Sequence, residues 1–202
     1  MVCVIDYGAG NLRSVLSALR AVGCDPRVAE TPADVNGATA LILPGVGAAA
    51  DTMENLRQRG LSEVVSDWIS ADRPFLGICM GLQVLFTRSD EGGGQECLGI
   101  LPGSVNRLPH DLKVPHMGWN QVRYPRPCTL FQGIPEGTNF YFVHSYVAAP
   151  YDPSIIAAVT NYGVDFCSAI ARGNLFATQF HPEKSGPSGL QVYRNFIAHT
   201  RH

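Results

Sequence analysis

A cysteine between two glycines, directly after a short apolar run, constrains this chain more than any other feature. The apolar residues 75–78 lead into Gly-Ile-Cys-Met-Gly at 77–81, and apolar residues at helical spacing follow. This is the pattern of a nucleophile elbow with sulfur in place of a hydroxyl. The glycines remove Cβ atoms where a strand and a helix crowd a sharp turn. The pattern therefore predicts a strand–turn–helix unit that lifts the Cys79 side chain clear of a sheet.

Cys79 is therefore a candidate nucleophile. A helix beginning near Met80 would direct unpaired N–H groups and its positive dipole end at the sulfur, which favours the attacking thiolate form. The competing interpretation is a core cysteine, because an unoxidised cysteine commonly packs as a small hydrophobic residue. Other segments of the chain must distinguish the two.

Length and composition set broad limits. The chain has 202 residues, of which 46% are hydrophobic and 16% charged, so we expect one domain over 1–202 with a substantial core. A formal net charge of -2 gives no basic surface for nucleic acid or anionic lipid. No apolar run approaches the ~20 residues that span a bilayer, so neither nucleic acid nor a membrane is predicted as a partner.

The cysteines indicate a reducing compartment. Six are spread along the chain and no two are closer than 18 residues, so there is no CxxC pattern. We therefore predict neither a metal nor a cofactor. The N-terminal residues lack the basic and apolar regions of a signal peptide, and we expect a cytoplasmic protein with reduced thiols.

The first half of the chain alternates strand and helix patterns. Buried strands are predicted at 2–5, 26–29, 40–43 and 74–78. Apolar periodicity predicts a helix over 12–22 and a helical region over 48–70 with a break at Gly60. Continuous apolar strands joined by helices predict an α/β fold with a mostly parallel central sheet flanked by helices.

The second half is dominated by strand and turn patterns. A flexible loop is predicted at 90–94, and a final amphipathic helix at 190–198. Strands are predicted at 104–108, 119–122, 140–148, 155–160, 167–171 and 175–180. We expect these strands to include extra antiparallel pairs.

Gly8-Ala-Gly10 after the first strand does not predict a dinucleotide site. Arg13 stands where a third glycine is needed, and no acidic residue ends a well-formed second strand. This turn is interpreted as structural or as facing a partner.

His181 is the best-placed base for thiol chemistry. It follows the predicted strand 175–180, at the end of the strand where parallel sheets assemble active sites. Glu183 could reach its imidazole around Pro182, fix its tautomer and stabilise the imidazolium. The alternative is an ordinary surface His-Pro-Glu turn.

The Pro-Gly-Val-Gly segment at 44–47 is a candidate oxyanion site. Its glycines allow the backbone N–H groups of Val46 and Gly47 to turn toward a ligand, and the N–H of Met80 would add another donor. Taken alone, an ordinary Pro-Gly turn is an equally simple interpretation.

Together these segments resemble the class I, triad-type glutamine amidotransferases. The resemblance rests on Gly-x-Cys-x-Gly-x-Gln at 77–83, Pro-Gly-x-Gly at 44–47 and Phe-His-Pro-Glu at 180–183, and it extends over nearly the whole chain. It implies a flavodoxin-like sheet and hydrolysis of the side-chain amide of glutamine through a thioester on Cys79. His181 would be the general base and acid, with Glu183 as its orienting partner.

Four segments are similar to the glutaminase subunits of imidazole glycerol phosphate synthases. They are Asp-Tyr-Gly-Ala-Gly-Asn-Leu at 6–12, Pro-Gly-Val-Gly-Ala at 44–48, Val-Pro-His-Met-Gly-Trp-Asn at 114–120 and Tyr-Phe-Val-His-Ser-Tyr at 141–146. The similarity implies a heterodimer with a cyclase subunit, a (β/α)8 barrel that uses the ammonia in histidine biosynthesis. The implied products are imidazole glycerol phosphate and an aminoimidazole carboxamide ribotide.

The resemblance also implies roles for residues around the substrate. Gln83 and Glu91 would hold the amino-acid end of glutamine, while Ser145 and Tyr146 would line the same pocket. A carboxylate suits an ammonium group, and a glutamine amide can meet either charged group. Glu91 as a plain loop acid and Gln83 as a polar residue on a helix flank are the alternatives.

Asn11, Trp119 and Lys184 would face the barrel. Trp119 is large, rigid and able to donate one hydrogen bond, which suits an interface anchor, although it could equally be a core residue of its strand. In this family the loop at 45–47 is expected to need a peptide flip before its N–H groups face an oxyanion. The resemblance thus implies low activity for the isolated chain and a large rise when the loaded cyclase binds.

Three other interpretations remain open from the sequence. The chain could be the glutaminase of another synthase, although the segment at 114–120 argues against this. It could be a stand-alone cysteine hydrolase or DJ-1-like protein, but those lack the His-Pro-Glu pairing. It could also be a non-catalytic module with a flavodoxin-like fold.

Overall fold

The computed structural model describes residues 1–200, so Arg201 and His202 of the predicted domain lie outside the described residues. The helices are α1 (Leu12–Ala21), α2 (Ala49–Gln58), α3 (Leu61–Ser70), α4 (Met80–Gln83) and α5 (Gly186–His199). The strands are β1 (Val2–Ile5), β2 (Arg27–Ala29), β3 (Ala40–Gly45), β4 (Phe75–Cys79), β5 (Phe86–Ser89), β6 (Gln95–Glu96), β7 (Leu101–Arg107), β8 (His116–Val122), β9 (Thr138–His144), β10 (Tyr146–Pro150), β11 (Ile156–Tyr162), β12 (Val164–Arg172) and β13 (Leu175–Thr178).

Within the described residues, eleven strands form one sheet and β8 pairs with β9 in a second. The large sheet runs in the order β2-β1-β3-β4-β13-β12-β10-β7-β5-β6, with β11 pairing beside β12. Its first five strands are parallel, whereas β12 joins β13, β10 and β11 in antiparallel pairs. The predicted mostly parallel α/β fold with added antiparallel strands is confirmed.

Four of the parallel strands, β1, β3, β4 and β13, are buried at every residue because both faces of the sheet are covered there, whereas the edge strand β2 begins with the exposed Arg27. Along β1, Cys3 and Ile5 pack into a cluster that includes side chains of α2 and α3. Val2 and Val4, which point the other way, pack into a cluster that includes side chains of α1 and α5. The carboxyl ends of these buried strands meet at one edge, where β4 ends at Cys79 and β13 ends just before His181.

The helix predicted to begin near Met80 does begin there, but the strand that follows it, β5, was not predicted. α4 is a single turn, and the chain returns to the sheet as β5, which pairs with β6 and β7. Residues 82–86 are buried on every side, so their apolar run carries no period that separates helix from strand. One turn of helix also aligns few peptide dipoles, so the predicted helix dipole contributes little at Cys79.

A second error concerns the single strand predicted over 140–148. The strand is interrupted at Ser145, so β9 belongs to the small sheet and β10 to the large one. Smaller differences are a 3-10 turn at Glu91–Gly93 within the predicted loop, and α5 beginning at Gly186 rather than at residue 190. Ser145, where the two strands separate, is one of the residues that line a cavity at the end of β4.

Candidate active site

The backbone at Cys79 has the strained geometry of an elbow. Its φ of 54° and ψ of -102° lie where side chains other than glycine are rarely found. A Cβ on Gly77 would overlap the Gly81 carbonyl, and a Cβ on Gly81 would overlap the carbonyl of Leu43. Both glycines are therefore required by close packing around the turn, as the sequence predicted.

His181 and Glu183 form a buried pair. Nδ1 of His181 lies 2.8 Å from Oε1 of Glu183, and both side chains are 1% exposed. A carboxylate can only accept, so Nδ1 carries a proton and donates it. The His181 backbone N–H donates to the Tyr141 carbonyl at 2.9 Å, and the Ser185 hydroxyl donates to the His181 carbonyl at 2.7 Å. These bonds anchor the imidazole between β9 and the start of α5.

The other imidazole nitrogen, Nε2, is buried and has no partner at hydrogen-bonding geometry, although Cys79 lies near enough to act on the pKa of this ring. Burial alone lowers the pKa of His181, but the negative charges of Cys79 and Glu183 outweigh it and raise this pKa to about 10. Cys79 is the stronger of these two influences. The nucleophile and the predicted base are thus electrostatically coupled across 102 positions of sequence.

A cavity of about 260 Å³ opens onto Cys79. Its lining includes seven further residues predicted for the oxyanion site and the substrate: Val46, Gly47, Met80, Gln83, Glu91, Ser145 and Tyr146. Pro115, Val143 and His144 complete the wall and were not predicted as site residues. The volume is below the ~300 Å³ at which pockets for drug-sized ligands begin, so it suits a small metabolite such as an amino acid.

Two predicted substrate residues already have partners. The Gln83 Nε2 donates to the Tyr146 carbonyl and to Oε1 of Gln179, both at 3.1 Å, while its own Oε1 is buried without a partner. Glu91 accepts the backbone N–H of Ala49 at 2.7 Å and so caps the start of α2. Gln83 therefore has one acceptor atom without a partner, and that atom is itself buried.

Gln179 was missed by sequence reasoning. Its side chain is fully buried, and its Nε2 lies 3.6 Å from the Cys79 sulfur. The sulfur also lies 4.0 Å from the Val143 carbonyl. A single glutamine before Phe-His-Pro-Glu carries no charge or spacing signal that would have marked it.

Two of the three residues predicted to face a partner, Trp119 and Lys184, both contact Tyr141. Trp119 is 57% exposed on β8 and makes an edge contact with Tyr141 of β9, whose ring lies under the Lys184 ammonium. This exposure excludes the alternative of Trp119 as a core residue. Asn11 precedes α1, which packs against the turn Pro182–Lys184. Met117, two residues before Trp119 on the same face of β8, adds another exposed apolar side chain.

Other parts of the molecule offer less chemistry. An open groove of about 670 Å³ runs along residues 124–132 and contains none of the predicted site residues. Among the described residues, no helix combines the length and apolar character needed to cross a membrane.

The comparisons with known proteins agree with this geometry. A family model described as "Glutamine amidotransferase class-I" matches residues 3–200. A solved structure described as "Crystal structure of glutamine amidotransferase" has a TM-score of 0.79 at 19% identity and covers 100% of both chains, which concerns the fold alone. The fold and the coupled thiol, imidazole and carboxylate thus define a class I glutamine amidotransferase.

Two curated relatives specify the family further. "Imidazole glycerol phosphate synthase subunit HisH" of Dehalococcoides mccartyi (strain CBDB1) is 54% identical over 197 residues, covering 98% of this chain and 96% of the relative. The protein of the same name from Moorella thermoacetica is 52% identical over 201 residues, covering 100% and 96%. The chain belongs to the family of imidazole glycerol phosphate synthase subunits HisH, which confirms the resemblance read from its motifs.

Proposed function

We propose that this chain hydrolyses glutamine at Cys79 and delivers the ammonia to a cyclase subunit, a (β/α)8 barrel, within a heterodimer. The cyclase would use it in histidine biosynthesis to make imidazole glycerol phosphate and an aminoimidazole carboxamide ribotide. One observation carries the proposal. Cys79 opens onto a cavity of amino-acid size while being electrostatically coupled to the buried His181–Glu183 pair. The reduced thiols of Cys3 and Cys167 fit a cytoplasmic location.

The first half of the reaction releases ammonia. The Cys79 thiolate attacks the side-chain carbonyl carbon of glutamine, and backbone N–H groups of Val46, Gly47 and Met80 stabilise the oxyanion. His181 is an imidazolium at neutral pH because its pKa is raised to about 10, so it holds the proton that the leaving nitrogen needs. The carbon–nitrogen bond breaks, ammonia leaves, and a γ-glutamyl thioester remains on Cys79.

The second half releases glutamate. Once the thioester forms, Cys79 no longer carries the charge that most raises the His181 pKa. The imidazole therefore becomes a better base for a water molecule that attacks the thioester carbonyl. The sulfur leaves as thiolate and His181 regains its proton, so glutamine and water have become glutamate and ammonia.

Four side chains in the cavity wall suit the amino-acid part of glutamine. Gln83 and Glu91 both line the cavity, and the carboxylate of Glu91 is an acceptor suited to an α-ammonium group. Ser145 and Tyr146 line the same wall at the break between β9 and β10.

The surface formed by Met117, Trp119, Tyr141 and Lys184 is our proposed contact with the cyclase. It combines exposed apolar anchors with a cation, as protein interfaces do. Val143, which lines the cavity, pairs with Met117 across β8 and β9. The proposed contact on β8 is therefore on the strand next to the one that lines the cavity, so ammonia would have a short distance to travel.

The same contact offers a route to activation. A Cβ on Gly10 would lie 3.8 Å from Cα of Gly45, so the turn before Asn11 packs directly against the proposed oxyanion loop. A partner that binds Asn11 can bias this loop, where Gly47 has a φ of +99° that few other residues adopt. We therefore propose that the loop's N–H groups are fully oriented only when the loaded cyclase is bound.

Glutamate release tests the proposal. The chain would be assayed alone, with the cyclase, and with the cyclase plus its ribulosyl phosphate substrate. We expect a low rate alone, a large rise with the loaded cyclase, and no activity in Cys79→Ala. Cys128→Ala, at a cysteine outside the cavity, should retain full activity. Equal turnover with and without the loaded cyclase would overturn the activation step, and an active Cys79→Ala would overturn the whole proposal.

A further inference from the structure

We propose that Gln179 is a hydrogen-bond donor to the attacking sulfur of Cys79, and that Gln83 holds the Gln179 amide in its donating orientation. The catalytic meaning of this contact rests on the function proposed above. The contact itself rests on the geometry of four buried or partly buried groups that end at the nucleophile.

These groups form a continuous chain of hydrogen bonds. The Gln83 Nε2 lies 3.1 Å from the Tyr146 carbonyl oxygen and 3.1 Å from Oε1 of Gln179. The Gln179 Nε2 lies 3.6 Å from the Cys79 sulfur. This series of hydrogen bonds thus runs from Tyr146 of β10, through Gln83 of α4 and Gln179 just after β13, to the Cys79 sulfur.

The orientation of both amides follows from one carbonyl group. The Tyr146 carbonyl oxygen can only accept, so the Gln83 atom beside it must be the NH2 nitrogen. That nitrogen also faces Gln179, whose facing atom must then be the amide oxygen. The nitrogen of Gln179 is left to point at the sulfur, and a flipped Gln179 would set its nitrogen against the nitrogen of Gln83.

Burial makes this contact significant. Gln179 and Gln83 are 0% and 3% exposed, so solvent cannot replace a missing partner. A neutral thiol is a weak acceptor, whereas hydrogen bonds to an ionised acceptor are roughly twice as strong as neutral ones. A buried amide whose NH2 group is directed at sulfur is therefore best satisfied when that sulfur is a thiolate.

The donor would act together with the reprotonated His181 when the sulfur leaves as an anion. In the proposed reaction, His181 has given its proton to the leaving nitrogen and then takes one from water. When the thioester breaks and the sulfur leaves as an anion, Gln179 still donates to it. Gln179 touches a reacting atom, so its removal should slow glutamine hydrolysis as well as change the behaviour of the free thiol.

The test measures alkylation of Cys79 by iodoacetamide as a function of pH, in the full chain. Gln179→Met deletes the donor at similar side-chain length, and Gln179→Glu sets a carboxylate against the sulfur. We expect the midpoint of the alkylation profile to rise by about one pH unit in Gln179→Met, and by more in Gln179→Glu. Gln191→Met removes an amide that bonds Asn195 within α5 and should leave the midpoint unchanged.

Hydrolysis provides a second readout. In the complex with loaded cyclase, Gln179→Met should lower kcat by about 10- to 100-fold, the loss expected for a hydrogen bond to a charged group. A folded Gln179→Met with the wild-type midpoint would overturn the inference. If the complex hydrolyses no glutamine but the midpoints shift as expected, the proposed function fails and the role of Gln179 at the sulfur stands.

A measurement on the wild-type chain covers the case in which both variants fail to fold. The side-chain amide resonance of Gln179, observed by ¹H–¹⁵N NMR, should titrate with the same midpoint as Cys79 alkylation. It should also shift when the sulfur is alkylated. A resonance that responds to neither change would overturn the inference.

Discussion

At the scale of single residues, the coupling between Cys79 and His181 can be measured directly. Cys79 is the charge that most raises the pKa of His181, with Glu183 second. We therefore expect NMR titration to give a pKa of about 10 for His181 in the wild-type chain and a clearly lower value in Cys79→Ala. Cys128→Ala should match the wild type. Identical titrations in Cys79→Ala and the wild type would mean that the two side chains are not coupled.

This coupling also makes stability depend on pH. The pKa of His181 is higher in the folded chain than the value of about 6.5 expected when it is unfolded. The folded state thus binds the proton more tightly, and this contribution to stability is complete below about pH 6.5. It is lost as the pH rises toward about 10.

Sequence patterns could predict the residues whose roles depend on neighbouring positions in the chain. Cys79 lies between obligatory glycines, and Glu183 follows His181 at the end of a strand, so motif and position suffice for all three. Gln179 could not be predicted, because its meaning comes from Gln83, which lies 96 positions earlier in the chain. Only the folded sheet brings these two amides together.

At the scale of elements, the elbow depends on close packing of α4 against β3. A Cβ on Gly81 would overlap the Leu43 carbonyl, so we expect Gly81→Ala to lower the free energy of unfolding by about 3 kcal/mol or more. Gly133 has a φ of 76°, but a Cβ added there would meet no atom within 4 Å. Gly133→Ala should therefore cost only about 1 kcal/mol. Urea denaturation compares them, and equal losses would contradict the packing argument.

The small sheet contains a buried pair of neutral histidines. Nδ1 of His144 lies 3.0 Å from the Tyr146 carbonyl and must donate, which leaves its Nε2 to accept from Nδ1 of His116 at 2.9 Å. Burial lowers the pKa of His116 to about 4. Burial also outweighs the Tyr146 carbonyl and lowers the pKa of His144 to about 3. Both rings are therefore neutral in the folded chain at physiological pH.

Acid should weaken this sheet. Below about pH 6.5 the unfolded chain protonates both histidines while the folded chain does not, so stability falls as the pH drops toward about 4. His116→Phe keeps a ring against Tyr162 and Phe142 but removes one titrating group. We expect a shallower fall in the urea midpoint between about pH 6.5 and 5 for this variant than for the wild type. Parallel pH profiles would refute the argument.

Short continuous apolar runs predicted β1, β3, β4 and β13, because each of these strands is buried at every residue. The same reasoning failed at β5, where continuous burial over residues 82–86 removes the period. It also missed the break at Ser145, since an apolar run does not reveal that its two halves join different sheets. Both errors concern segments next to the cavity, since Gln83 and Ser145 line it.

At the scale of the whole molecule, the proposed cyclase surface centres on Trp119. Its exposed ring on a rigid two-stranded sheet is a typical interface anchor, for which truncation costs about 2 kcal/mol or more. Trp119→Ala should therefore weaken cyclase binding by about 30-fold, measured by isothermal titration calorimetry. Tyr151 is 77% exposed outside this surface, and Tyr151→Ala should bind normally. Equal affinity for the two variants would place the contact elsewhere.

The proposed reaction requires the Cys79 sulfur to become covalently bonded to the glutamyl group. The direct test is to quench the complex with loaded cyclase during turnover of glutamine and map its peptides by mass spectrometry. We predict a γ-glutamyl adduct on the peptide that contains Cys79 and on no other cysteine peptide. Release of glutamate at the full rate while Cys79 stays unmodified, or by Cys79→Ala, would contradict this claim.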